Sequence, residues 1–161
     1  MQKIIQILNS AGLPHAPAVE RAFNDLFSRQ VFNSAGLAVS GTTTLFKTVN
    51  TIYAVVNGTT VVKTTADFPA LTGYNLTSGQ VGGFVATMDA AGVLYVLTIS
   101  PAATLGQIVY PLVPPSQVAI GLVLLNVASP ATFTGGTTVM TAAAPIVYVN
   151  LTGPFAPTNL F

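Results

Sequence analysis

The hydrophobic pattern along this chain changes period once, near residue 37. Before that point Val19, Ala22, Phe23, Leu26 and Phe27 fall at i, i+3, i+4, i+7 and i+8, the apolar stripe of an amphipathic helix. Glu20, Arg21, Asp25 and Arg29 take the other face. Pro17 stands where a first-turn proline is tolerated, because its missing N–H would have no partner in any case. Upstream, Ile4-Ile5-Gln6-Ile7-Leu8 is apolar and closes at Asn9-Ser10-Ala11-Gly12. That stretch reads equally as a turn or two of helix or as an extended arm.

Beyond residue 37 the period falls to two and the turn residues thicken. Leu45 to Val49 and Thr51 to Val56 have strand character, and Asn57-Gly58 is a strong hairpin signal leading into Thr60 to Lys63. Gln80 to Met88 and Val93 to Ile99 predict a second hairpin, joined by Asp89-Ala90-Ala91-Gly92. Ile108 to Val113 predicts a strand ending at Pro114-Pro115. Val118 to Val127 is a long apolar strand of the kind buried on both faces. After the loop Phe133 to Thr138, Ile146 to Leu151 is the last strand. Some seven short strands at irregular spacing, without an internal repeat, predict a mainly β chain built as an antiparallel sandwich or small barrel. The expected division is an N-terminal helical arm (1–36), a β domain (37–152) and an extended, proline-broken tail (153–161).

Composition changes this picture at one point. Apolar residues make up 51% of the 161 residues, ample for a core, but charged residues only 6%, against roughly 25% in an ordinary soluble domain. The surface is therefore covered by Thr, Ser, Asn, Gln, Gly and Pro, or by neighbouring protein. Threonine occurs 21 times and suits strands whose outer face meets water or a partner. Five of the nine charges (Lys3, Glu20, Arg21, Asp25, Arg29) lie in the first 29 residues. A net charge of +1 cannot supply the electrostatic footprint of a nucleic-acid binder. No basic amphipathic stretch suits an anionic membrane surface. The longest apolar run, Val118 to Val127, is far shorter than the roughly 18 residues of a spanning helix. The first residues lack the long apolar core of a signal peptide, and the absence of cysteine fits synthesis in the cytoplasm.

Chemistry-bearing residues are sparse. The chain has one histidine, His15 between Pro14 and Ala16, and four acids, where acid–base catalysis wants His or paired carboxylates within reach of one another. Glu20 and Asp25 belong to a charged helix face; Asp67 and Asp89 occupy ordinary loop positions for Asp. No nucleophile-elbow or phosphate-loop pattern occurs. Gly82-Gly83 and Gly135-Gly136 are explained by backbone needs, a close approach in a strand and a tight loop. Asn57, Asn75 and Asn150 open glycosylation-like triplets, accidental in a Thr-rich chain without a secretion signal. The expectation is a protein without catalysis, cofactor or metal.

Two stretches carry a resemblance. Lys47 to Gly58 (Lys-Thr-Val-Asn-Thr-Ile-Tyr-Ala-Val-Val-Asn-Gly) resembles a recurring segment of tailed-bacteriophage virion proteins, a Lys-Thr strand followed by an Asn-Gly hairpin. Ala119 to Leu124, with Phe133-Thr134-Gly135-Gly136-Thr137-Thr138 and Val147-Tyr148-Val149, is similar to the closing part of the same proteins. The similarity covers residues 44 to 151 and leaves out the N-terminal helical segment. It implies a head decoration (cement) or head-fibre-like protein, commonly oligomeric on the capsid.

The resulting expectation is a virion structural protein, assembled in the host cytoplasm. It would associate as a homo-oligomer, a trimer favoured, and with the phage major capsid protein or other virion subunits, without nucleic acid or membrane. Its attachment arms would be residues 1–30 and 153–161, with Ile4, Ile5, Ile7, Leu8, Val19, Phe23, Leu26, Phe27, Phe155, Leu160 and Phe161 as contacts. The rival readings are a receptor- or glycan-binding fibre module and a tail or adaptor subunit. An enzyme fragment is disfavoured by the missing carboxylate pair.

Overall fold

A computed structural model describes residues 27–141 and 146–152. Eleven strands occur there: β1 (Arg29–Val31), β2 (Leu37–Val39), β3 (Phe46–Thr48), β4 (Ile52–Val56), β5 (Thr59–Lys63), β6 (Asn75–Leu76), β7 (Val81–Asp89), β8 (Leu94–Ala102), β9 (Gln117–Asn126), β10 (Phe133–Thr134) and β11 (Ile146–Asn150). All pairings are antiparallel. They form a four-stranded sheet β11-β9-β7-β8, a three-stranded sheet β1-β4-β5, and the two-stranded pairs β2-β3 and β10-β6. The chain is mainly β, with these sheets packed together.

The β4–β5 hairpin follows directly from its turn. Asn57 and Gly58 have φ of +50° and +78°, the pair of left-handed conformations whose twist matches the flanking strands. Ile52, Ala54 and Val56 of β4 then point inward and are fully buried, while Tyr53 is exposed. At the β7–β8 turn the Asp89 carboxylate accepts hydrogen bonds from the N–H groups of Ala91 and Val93, both at 2.9 Å.

The two central strands of the four-stranded sheet, β7 and β9, are buried on both faces. Every residue from Val81 to Met88 is buried, and only the ends and Leu124 of β9 escape full burial. One face of this sheet (Phe84, Ala86, Met88, Ile120, Val123, Leu125) meets Val31, Ile52, Ala54 and Val56 of the three-stranded sheet in the main core. The other face (Val85, Ile99, Ala119, Leu122) is covered by Leu151 and by Ile108, Tyr110 and Val113. Between Ala86 and Thr87 the register against β9 shifts by one residue. That bulge lets inward positions run Val118, Ile120 and then Val123, Leu125, a change of parity that continuous pleating forbids.

Gly82 and Gly83 answer a close approach. A Cβ on Gly82 would collide with the Tyr74 hydroxyl, and one on Gly83, at φ +151°, with the Val123 carbonyl. Gly135 is held against the Leu71 carbonyl in the same way.

Three sequence expectations are corrected. Ile108 to Val113 forms no strand; Pro111 lacks an N–H for a ladder, and the segment lies across the back of the large sheet instead. The β region starts before residue 37, since β1 pairs with β4 and Val31 and Ala35 are buried. Arg29, placed on a helix face by its spacing, opens β1; the expected helix itself lies outside the described residues, apart from a short turn at Phe27 and Ser28.

Candidate association surfaces

Among the described residues no three of His, Cys, Asp or Glu come together as a group that could hold a metal ion. Asp67 accepts a 2.7 Å hydrogen bond from the Ser40 hydroxyl. Asp89 accepts a third bond, at 2.9 Å, from the Tyr95 hydroxyl. Desolvation is the largest single influence and pushes its pKa up, but the Val93 N–H, the Tyr95 hydroxyl and the Ala91 and Gly92 N–H groups together hold the carboxyl below its ordinary value. Both aspartates tie loops to the sheet.

The aromatic residues divide into core and surface. Phe46 stacks on Phe68 with ring centroids 4.3 Å apart, and Tyr74 lies against Phe84 at 4.6 Å. The Tyr74 hydroxyl accepts from the Gly83 N–H at 2.8 Å and donates to the Ile99 carbonyl at 2.7 Å. It thus bridges β7 and β8 where their register shifts. Burial raises its pKa, opposed by the Gly83 N–H. Burial also raises that of Tyr148, whose hydroxyl has no hydrogen-bond partner among the described residues.

Besides Phe27, Val49 and Val147, exposed apolar side chains of the described residues fall in three places. On the outer face of β1-β4-β5, Tyr53 pairs with Val62 across the hairpin, and the Phe32 N–H donates to the Tyr53 carbonyl at 2.9 Å. Phe32, Tyr53 and Val62, each more than half exposed, form one row across the sheet. Just past Phe32 the Asn33 side chain continues the ladder, accepting from the Tyr53 N–H at 2.8 Å and donating to the Thr51 carbonyl at 2.7 Å. The second place is the segment between β8 and β9, where burying Ile108, Tyr110 and Val113 turns Val109 (73% exposed) and Leu112 (84% exposed) outward, with Leu105 beside them. The third is the start of β8, an edge strand, where Tyr95 and, just before the strand, Val93 are exposed.

Of the contacts expected from sequence, Phe27 alone is described, and it is exposed. Ile4, Ile5, Ile7, Leu8, Val19, Phe23, Leu26, Phe155, Leu160 and Phe161 lie outside the described residues. The three surface groups were missed, although alternation carries the signal. If Ile52, Ala54 and Val56 face a core, Tyr53 cannot.

Comparison with family models, curated proteins and solved structures finds no match to this chain. No helix among the described residues is long and apolar enough to cross a membrane.

Proposed function

We propose that this chain is a virion structural protein, a capsid decoration (cement) or head-fibre-like subunit, that works by protein–protein association and performs no catalysis. One observation carries the association. The described residues hold five charged side chains, Arg29, Lys47, Lys63, Asp67 and Asp89, yet eleven large apolar side chains are exposed on them. A surface of that kind gains about 25 cal/mol per Å² of apolar area covered by a neighbour. An interface of roughly 1,600 Å² leaves a useful surplus after the entropic cost of association. The virion setting is supported by the resemblance of residues 44 to 151 to tailed-phage virion proteins, whose quoted stretches fall in β3, β4 and the turn after it, β9, the β10 loop and β11.

The test is a pair of cryo-EM maps, of particles made with and without this chain. Difference density on the outer capsid is the expected result. Density confined to the tail would favour the adaptor reading, and none anywhere would end the proposal. A second reading, a glycan-binding fibre module, draws on the exposed Tyr53 ring. A glycan array without a hit removes it.

A further inference from the structure

We propose that the outer edge of β8 pairs with β8 of a second copy, antiparallel and centred on Val96. The proposal rests on the association reading and names one partner for it.

The ladder between β7 and β8 fixes which backbone groups point outward. The Asp89 N–H donates to the Val93 carbonyl at 3.1 Å, so Asp89 and Val93 are a hydrogen-bonded pair. Antiparallel pairs alternate between hydrogen-bonded and non-hydrogen-bonded. The register runs unbroken from Met88↔Leu94 to Gly83↔Ile99, so Tyr95, Leu97 and Ile99 bond inward to β7. The Tyr74 hydroxyl agrees with this: it is wedged between the Gly83 N–H and the Ile99 carbonyl, the two groups that would otherwise meet. Leu94, Val96 and Thr98 therefore direct their N–H and C=O groups away from the sheet. β8 is the last strand of its sheet, and those six groups have no partner among the described residues.

Nothing blunts this edge between Leu94 and Ile99. Natural edges are guarded by charge, proline or bulges. Here the first proline is Pro101 and the register shift falls between Ile99 and Ala102, past the stretch in question. The β5 edge, by contrast, ends in Lys63.

A second copy suits the edge better than a foreign strand. Centring on Val96 sets Leu94 opposite the partner's Thr98 and Val96 opposite the partner's Val96. All six outward groups of each copy then find bonds. The intervening pairs place exposed Tyr95 against the partner's partly buried Leu97, apolar on apolar, and Val93 opposite the partner's Ile99, whose side chain is already buried in its own core. No charge lies in β8, so two copies bring no like charges together. The bulge beyond Ile99 ends the pairing after a few residues, giving a closed two-fold contact rather than a fibre.

The full chain in light scattering after size exclusion should run at twice its 16.5 kDa. Thr98→Pro should halve that mass with an unchanged far-UV spectrum, because Thr98 is exposed and its N–H serves the outer edge alone. Since the chain has no cysteine, Val96→Cys gives a clean second reading. Paired strands bring the two Cα atoms to about 5.5 Å, within disulfide reach, so mild oxidant should yield a covalent dimer while Val62→Cys should not. A wild-type monomer, or an oligomer that neither variant affects, overturns the inference. A wild-type monomer that still decorates particles would sink this pairing and leave the virion reading standing; a β8 dimer absent from particles would do the reverse.

Discussion

The two larger sheets are built from similar residues and behave differently. In β1-β4-β5, β4 alternates, with Ile52, Ala54 and Val56 buried and Tyr53 exposed. In β11-β9-β7-β8, β7 has no exposed residue from Val81 to Met88. The first sheet has one covered face and presents the other; the second is covered on both and meets the outside chiefly at its edges. Stability is therefore concentrated in the second sheet, and the proposed contacts with neighbours would fall to the outer face of the first and the edge of the second.

Phe84→Ala tests the sharper half of that contrast. Phe84 is fully buried on β7, stacked near Phe46 and tilted against Tyr74, and its truncation should cost about 3–5 kcal/mol in chemical denaturation. Tyr74→Phe should cost less, about 1–3 kcal/mol, because the Gly83 N–H and Ile99 carbonyl lose the hydroxyl between them. Tyr53→Thr and Val62→Thr, on the open face, should each change stability by no more than about 0.5 kcal/mol. A cost for Tyr53→Thr comparable with that of Phe84→Ala would break the comparison.

The smallest effect concerns Asp89, at the turn that closes the second sheet. Its carboxyl is held below the ordinary value, so the unfolded chain binds the proton more readily than the folded one. The corresponding stability is present above the unfolded carboxylate pKa of about 3.9 and is lost as pH falls through the lower folded value. Melting curves from pH 6 to pH 2 should therefore fall less steeply for Asp89→Asn than for the wild type. Parallel curves would show that the turn bonds do not favour the charged form.

What was legible in the sequence follows from the same physics. The Asn57-Gly58 turn and the two-sided burial of Val118 to Val127 were readable because each has a local signature. Strands β1, β2, β6 and β10 have two or three residues, too few to show a period. The strand expected at Ile108 to Val113 failed because a short apolar run reports burial, and a segment laid over a sheet face is as apolar as a paired strand. The parity change in β9 depends on a bulge that no residue there announces. The sequence points to the apolar ends of the chain for contact residues and hides the exposed row on β1-β4-β5, whose residues are apolar like the core beneath them.

The central claim is that neighbours are held by neutral surface, with few ion pairs to screen. It is tested most directly by washing purified particles in rising NaCl and measuring how much of this chain remains bound. Retention should be unchanged from about 0.1 M, where charges are screened beyond roughly 10 Å, to about 1 M, where the screening length is near 3 Å. Release of the chain across that range would contradict the account.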